Sequence, residues 1–211
     1  MSIARDGLPY ILIPAVISII LLALGYWFGV VYCYAAIPFV LVTAFMVYFF
    51  RDPRREPPQD DNAVVAPADG KVTRVGAIAD TPDSPTLISI FLSPLDVHIN
   101  RAPIAGTVTN VSYTRGKFLM ATDKNASLVN EQNALTIQGE KITVVCKQIA
   151  GILARRIICW KHVGEQVKLG ERFGLIKFSS RTDVVLPAEV EVLVTEGMRV
   201  RGGITVIGRI K

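Results

Sequence analysis

The feature that most constrains this chain is a long N-terminal stretch without charged side chains. No Asp, Glu, Lys or Arg occurs from residue 8 to residue 50. At about 1.5 Å per residue, one helix of that length would span roughly 64 Å, about twice the ~30 Å hydrocarbon core of a bilayer. The stretch therefore predicts a hairpin of two membrane helices, Tyr10–Phe28 and Val31–Phe50, which turns around Gly29.

Two alternatives to a full crossing of the membrane start from the same residues. A cleaved signal peptide is disfavoured, because the apolar stretch is too long and lacks a clear small-residue cleavage site. A re-entrant or shallow hairpin stays open, because Pro14, Pro38 and a minimal turn strain a full crossing. Membrane helices nevertheless tolerate proline, so the spanning hairpin is the main prediction.

Basic residues lie on both sides of the apolar stretch. Arg5 precedes it, and Arg51, Arg54 and Arg55 follow it. With two crossings, both ends lie on one face of the membrane, and the bias of Lys and Arg places that face in the cytoplasm. We therefore expect a cell-membrane protein whose main domain lies on the cytoplasmic face. The net charge of +5 is compatible with a domain held against anionic lipid.

The composition argues against nucleic-acid binding and against a metal site. No stripe of Lys and Arg is interleaved with aromatic residues, so nucleic-acid binding is not predicted. The chain has two histidines, and its three cysteines lack CxxC spacing. With so few histidines, a histidine-rich metal site is not predicted. The cysteine pattern predicts buried thiols in a reducing compartment.

The rest of the chain has the pattern of a mainly β domain. A polar, proline-broken linker, residues 51–62, separates the membrane hairpin of residues 1–50 from a domain of residues 63–211. Short β-branched runs between glycines and prolines predict a compact β-sandwich or barrel. The predicted strands include Lys71–Val75, Leu87–Leu92, Gly106–Tyr113, Lys141–Lys147, Arg155–Trp160, Phe173–Phe178 and Glu189–Val194. One helix is predicted at Ser127–Asn133.

A seven-residue pattern occurs twice towards the C-terminus. Residues 164–170 and residues 197–203 share the spacing G-x-x-V-x-x-G, and an apolar strand follows each copy. The spacing predicts two related hairpins with glycine in their tight turns. These hairpins are similar to the halves of biotinyl/lipoyl-type domains. The carrier lysine of those domains and its flanking signature are missing, so we interpret the hairpins as scaffold.

Taken one at a time, the polar residues of the domain do not indicate a functional site. Asp69 followed by glycine is a common hairpin turn. Ser180-x-x-Asp183 fits a capping box or a polar turn. His98 fits a structural histidine on a strand of mixed polarity, and His162 fits an exposed loop.

Three longer segments together carry a specific resemblance. Residues 66–72 read A-P-A-D-G-K-V, residues 93–103 read S-P-L-D-V-H-I-N-R-A-P, and residues 170–183 read G-E-R-F-G-L-I-K-F-S-S-R-T-D. In this order they resemble three segments of the short phosphatidylserine decarboxylases, P-A-D-G-K-V, S-P-x-D-V-H-x-N-R-x-P and G-E-R-F-G-x-I-x-F-G-S-R-x-D. The resemblance covers nearly all of residues 63–211, and the N-terminal apolar hairpin is also familiar from that family.

The resemblance implies a proenzyme that cuts itself between Ser179 and Ser180. The Ser180 hydroxyl would attack the carbonyl carbon of residue 179, and elimination would leave a pyruvoyl group, a covalent pyruvate cofactor, at position 180. The products would be a larger chain, Met1–Ser179, and a smaller chain that begins at position 180. A serine hydroxyl needs a base, and histidine, with a pKa of about 6.5, suits this task. His98 would be that base, and Asp69 would orient its ring and stabilise the imidazolium.

The implied reaction converts phosphatidylserine to phosphatidylethanolamine and CO2, the work of a carboxy-lyase. The substrate amine would form a Schiff base with the pyruvoyl ketone, and the conjugated carbonyl would accept the electrons released with CO2. Arg101, Arg155 and Arg181 would hold the lipid phosphate or the serine carboxylate. The implied partners are the phospholipid membrane, phosphatidylserine and the chain's own two cleavage products. A homodimer is compatible with the family.

Two residues depart from the family pattern. Ser179 stands where the short forms have glycine, which would ease a strained turn, and it is also a competing nucleophile. Arg101 stands where longer forms have a second histidine in an H-x-x-H spacing, so His98 alone would serve maturation and turnover. Two alternatives stay open, a membrane-anchored adaptor with lipoyl-like hairpins and a family member that does not process itself.

Overall fold

The structure, a computed structural model, describes residues 2–81, 83–120, 123, 126–152, 156–177 and 180–211. The chain divides into two units, Met1–Arg54 and Arg55–Lys211. The first unit contains the uncharged stretch, and the second contains the three motif segments.

The N-terminal unit is the expected pair of apolar helices. In chain order it contains β1 (Ser2–Ile3), a 3-10 turn (Arg5–Gly7), α1 (Leu8–Phe28), α2 (Val31–Phe49) and β2 (Arg51–Asp52), and β1 pairs antiparallel with β2. Gly29, between the helices, has a φ of 116°, which glycine adopts without strain. Both helices are long and apolar enough to cross a membrane, and little of either is buried. The predicted helical hairpin is confirmed.

The C-terminal unit is built from short antiparallel strands. Its elements are β3 (Ala63–Val65), β4 (Gly70–Ala77), β5 (Thr86–Leu92), β6 (Ile99–Arg101), β7 (Gly106–Thr114), α3 (Ala126–Val129), β8 (Gln132–Gln138), β9 (Thr143–Ala150), β10 (Ile157–Cys159), β11 (Gln166–Val167), β12 (Arg172–Ile176), β13 (Ser180–Leu186), β14 (Val190–Val192), β15 (Arg199–Val200) and β16 (Val206–Ile210). Inward-facing Val, Ile and Leu side chains of these strands form the apolar core. The prediction of a mainly β domain is confirmed.

The described strands of this unit form one large sheet and two small ones. Eight strands form the large sheet in the order β11-β7-β8-β9-β13-β5-β4-β15, and the small sheets are β10-β12-β6 and β14-β16-β3. β13 lies inside the large sheet because it pairs with β5 on one side and with β9 on the other. A residue at the start of β13 is therefore enclosed by neighbouring strands on both sides.

The seven-residue repeat forms the two edges of the large sheet. β11 and β15 each lie between glycines of positive φ, 92° and 70° in the first copy and 93° and 76° in the second. The Gly164 N–H donates to the Val108 carbonyl of β7, and the Gly197 N–H donates to the Val72 carbonyl of β4, both at 2.8 Å. The tight glycine turns expected in both copies are confirmed, but the prediction of hairpins is wrong for the described strands, because β11 pairs with β7 and β15 with β4 instead of with the strand that follows each copy. The likeness of the two copies to biotinyl/lipoyl-type domains stays a prediction.

Two local interpretations are wrong. The helix predicted at Ser127–Asn133 is limited to the four residues of α3, and Asn133 lies in β8 with its side chain buried. Pairing of β8 with β7 and β9 overrides the local pattern there. The turn or cap considered for Ser180–Asp183 is also absent, because these residues begin β13.

Candidate active site

Ser180 is the first residue of β13 and is fully buried. It pairs in register with Leu92 at the end of β5 and with Ala150 at the end of β9. Its Oγ atom has no hydrogen-bond partner within the part of the chain that the structure describes. Leaving a buried hydroxyl unsatisfied costs about 1–3 kcal/mol, and such exceptions call for an explanation such as a catalytic role.

His98 lies in the segment that follows β5, at the same end of the sheet as Ser180. Its backbone carbonyl accepts a hydrogen bond of 3.3 Å from the N–H of Ile176, which ends β12 four residues before Ser180. Ser180 itself pairs with Leu92, six residues before His98. The His98 side chain is fully buried. The fold therefore places a buried histidine on the segments that flank the buried serine.

Asp96 shapes the loop before His98 and orients the imidazole ring. The backbone N–H and the hydroxyl of Ser93 donate to one Asp96 carboxylate oxygen at 2.8 and 2.7 Å, and Arg199 donates to the other at 3.0 Å. Burial acts to raise the pKa of Asp96, but these hydrogen bonds outweigh it and hold the pKa below its ordinary value of 3.8. The Asp96 carbonyl lies 2.9 Å from His98 Nδ1. Because a carbonyl only accepts, Nδ1 carries the proton of the neutral ring and Nε2 carries the lone pair.

The described contacts of Asp69 differ from its expected pairing with His98. The Asp69 carboxylate faces the Arg55 guanidinium, with Nη2 of Arg55 2.7 Å from Oδ2, and the Gly202 N–H donates to Oδ1 at 2.8 Å. The hydrogen bond at His98 Nδ1 goes to the Asp96 carbonyl instead. In this structure the loop orients the ring, while Asp69 links Arg55, at the start of the domain, to Gly202 in the turn after β15.

A row of buried polar side chains crosses the sheet beside the start of β13. Thr182 on β13 pairs in register with Gln148 on β9, which pairs with Asn133 on β8. Asn133 Nδ2 donates to Gln148 Oε1 at 3.0 Å, and Gln148 Nε2 donates to Asn100 Oδ1 at 2.9 Å. Asn100 Nδ2 donates in turn to Thr182 Oγ1 at 2.9 Å. Asn100 lies on β6, two residues after His98, so the row joins the histidine segment to β13.

Sequence reasoning missed this polar row and the role of Asp96. Asn133 and Gln148 carry a usable signal, because they are polar residues at inward positions of strands whose other inward residues are apolar. The spacing of Ser93 and Asp96 is also that of a side chain that closes its own turn. Neither signal identifies the partner, which comes from a distant strand.

Arg101 lies further along β6 than the histidine segment. Its Nη1 donates to the Gly170 carbonyl at 3.0 Å. It lines an open pocket of about 670 Å³ whose other basic residues are Arg55, Lys168 and Arg172. Three residues of extended strand span about 10 Å, so this basic pocket lies about that far along the strand from His98.

Arg181 is engaged in a buried ion pair. Its Nε and Nη2 donate to the two carboxylate oxygens of Asp183 at 2.7 and 2.8 Å, and the two side chains are only 7% and 2% exposed. Because side chains alternate along a strand, Arg181 lies on the opposite face of β13 from Ser180. Two other predicted site residues, Ser179 and Arg155, lie outside the described residues.

Comparison with known proteins leads to the same family as the motifs. A family model described as phosphatidylserine decarboxylase matches residues 42–208. Relatives named phosphatidylserine decarboxylase proenzyme include one from Chlorobium limicola, 46% identical over 206 residues that cover 96% of this chain and 97% of the relative. Another from Solibacter usitatus is 50% identical over 175 residues, 82% of this chain and 83% of the relative. A third from Wolbachia pipientis is 39% identical over 217 residues, 99% of this chain and 91% of the relative.

The chain belongs to the phosphatidylserine decarboxylase family. The resemblance drawn from the three motif segments is therefore confirmed. The structure brings these decarboxylase segments together: residues 93–103 supply His98 and Asn100, and residues 170–183 supply β12 and the start of β13. The segment of residues 66–72 adjoins them, since the Arg101 N–H donates to the Pro67 carbonyl at 2.9 Å.

Proposed function

We propose that the chain is a phosphatidylserine decarboxylase proenzyme that cleaves itself before Ser180 and then converts phosphatidylserine to phosphatidylethanolamine. Family membership supports the reaction. One structural observation supports the site: Ser180 Oγ is buried and unsatisfied among the described residues, and Ser180 pairs with Leu92, the strand end from which the segment with the buried His98 continues. A serine held by structural hydrogen bonds would be a poorer candidate for a nucleophile.

His98 acts as the base of the first step. With Nδ1–H held by the Asp96 carbonyl, Nε2 takes the Ser180 hydroxyl proton as Oγ bonds to the carbonyl carbon of residue 179. The C–N bond then breaks as Nε2 returns the proton to the nitrogen, and an ester and a free amine at residue 180 result. Loss of the Cα proton of residue 180 breaks its Cβ–O bond and releases residue 179 as a carboxylate. Tautomerisation and reaction with water then release ammonia and leave the pyruvoyl group.

The surroundings of position 180 fit a pyruvoyl group. Such a group supplies a ketone that reacts with the substrate amine and a conjugated carbonyl that accepts the electrons released with CO2. The buried, unsatisfied position of the Ser180 side chain leaves it available for conversion. His98, once protonated, delivers the proton that replaces CO2 on the substrate α-carbon.

Cationic side chains would bind the anionic groups of the lipid. Arg101 remains a proposed contact for the phosphate or the serine carboxylate, because it lines a basic pocket. Arg155 is proposed for the same role on the basis of the sequence alone. Arg181 is a weaker candidate than the sequence suggested, because Asp183 already holds its guanidinium. The apolar helices and the arginines around them support a place at the cell membrane with the domain on the cytoplasmic face.

Intact-mass spectrometry of the purified full chain tests this proposal. We expect two chains, the smaller beginning at position 180 with a pyruvoyl mass in place of serine. Ser180→Ala should leave one uncut chain, whereas the matched control Ser179→Ala should still be cut. The wild type should also form phosphatidylethanolamine from phosphatidylserine. Cleavage that persists in Ser180→Ala would show that Ser180 is not the nucleophile. An uncut wild-type chain would favour a family member that does not process itself.

A further inference from the structure

Several large apolar side chains are exposed together at the Ser180 end of the large sheet. We name this group the apolar strap; its members are Phe118, Leu119, Met120, Leu128, Val129 and Ile152. Met120 and Leu128 are 60% and 77% exposed. The Lys117 N–H donates to the Val129 carbonyl at 2.7 Å, so residues 117–120 lie beside residues 128–129. Contiguous exposed apolar surface of this kind marks an interaction site.

Asn130 fastens the strap to the candidate active site. Its buried side chain accepts from the Leu119 N–H at 2.9 Å and donates to the Leu119 carbonyl at 2.9 Å and to the Ala150 carbonyl at 2.8 Å. Ala150 is the residue that pairs in register with Ser180. Ile152 follows Ala150 by two residues. The exposed apolar side chains are thus held next to the buried serine by a satisfied hydrogen-bonding residue.

The charges around the strap indicate what covers it. By sequence, residues 115–131 contain three basic residues, Arg115, Lys117 and Lys124, and two acidic residues, Asp123 and Glu131. Apolar side chains beside basic ones are the combination that binds the surface of an anionic phospholipid bilayer. The same chain contains two helices that are long and apolar enough, by length and composition, to cross a membrane.

We propose that the apolar strap inserts into an anionic phospholipid bilayer, so that the lipid enters the site directly from the membrane. This inference rests on the proposed function for its purpose, because a buried Ser180 must meet a head group whose acyl chains remain in the bilayer. Insertion of the strap itself is independent of catalysis. It can therefore be measured separately.

Tryptophan fluorescence in vesicles with brominated acyl chains tests insertion. Met120→Trp and Leu128→Trp are placed singly in a full-length Trp27→Phe chain, with the signal of Trp160 subtracted. The matched control is Ile78→Trp, since Ile78 is 54% exposed and lies beyond the end of β4 far from Ser180. Ala77 at that end pairs with Thr86 of β5, and Thr86 pairs with Leu186, which lies about 20 Å along β13 from Ser180.

We expect brominated lipid to remove most of the added fluorescence of the two strap variants and little of the control's. Absence of quenching in the strap variants, or equal quenching in the control, would overturn the proposal. A third result would also overturn the proposal. If the strap indoles in lipid-free detergent become more shielded from a water-soluble quencher as the protein concentration rises, a second copy of the chain covers the strap.

Kinetics supply the second measurement. In vesicles, Leu128→Ser should raise the apparent KM for phosphatidylserine about tenfold, as expected for partial loss of one buried leucine side chain. Turnover of monomeric short-chain phosphatidylserine should not change, and the control Ile78→Ser should change neither value. An unchanged KM in Leu128→Ser would contradict the proposal. If brominated lipid quenches the strap indoles but neither the wild type nor any variant decarboxylates phosphatidylserine, the result would support insertion and refute the proposed function.

Discussion

The hydrogen bond between Asn100 and Thr182 should control both stability and maturation, because it joins the segment after His98 to the strand that starts at Ser180. Asn100→Ala removes the donor to Thr182 Oγ1 and one of the two acceptors of Gln148 Nε2, which keeps the Ile158 carbonyl at 3.3 Å. Each buried hydrogen bond that is lost without replacement costs about 1–3 kcal/mol, so we expect the free energy of unfolding to fall by about 2–4 kcal/mol. The same loosening shifts His98 relative to Ser180, and misplacement by about 1 Å can slow a reaction about 100-fold.

Two assays separate these effects. Stability is measured by denaturation in detergent in a Ser180→Ala background, where every chain should stay uncut. Self-cleavage is measured as the appearance of the smaller chain after cell-free synthesis. The matched control is Asn110→Ala, because Asn110 is exposed on β7 and its loss should change stability by less than about 0.5 kcal/mol.

A double-mutant cycle with Thr182→Val tests the link itself. Thr182→Val keeps the shape of the side chain and removes the hydroxyl. If Asn100 and Thr182 interact as the structure shows, the two changes together should cost about 1 kcal/mol less than the sum of the single changes. Strict additivity, or a cleavage rate in Asn100→Ala equal to that in Asn110→Ala, would refute the reasoning.

Two further predictions concern the ionised groups of the site. Asp183→Asn should destabilise the fold by about 3–5 kcal/mol, because it leaves the buried Arg181 guanidinium uncompensated. The double variant Arg181→Met, Asp183→Leu should lose much less stability. Denaturation of both variants checks this prediction, and equal losses of stability would contradict it. Asp96→Asn should lower stability by about 1–3 kcal/mol through the hydrogen bonds from Ser93 and Arg199. Because the pKa of Asp96 is lowered on folding, this difference from the wild type should be constant above about pH 5 and shrink as the pH falls below 3.8; a difference that grows in acid would contradict it.

Much of this protein follows from its sequence because the deciding features are local. The length of an uncharged stretch determines how many helices fit a bilayer, and both helices begin and end within two residues of prediction. The repeated glycine spacing predicts tight turns in both copies because such turns need positive φ. The motifs around Asp69, His98 and Ser180 identify the family without any knowledge of the fold, and the family then suggests the chemistry.

Only the tertiary structure decided how the site is assembled. Cross-strand register places Thr182, Gln148 and Asn133 in one row, and a second sheet inserts Asn100 beside them; no local pattern specifies which strands become neighbours. The proton donor at His98 Nδ1 likewise meets the Asp96 carbonyl rather than Asp69, because a loop closed by its own side chain positions the ring. Residue type and spacing determined which groups are available for the chemistry, whereas long-range pairing determined their partners and their burial.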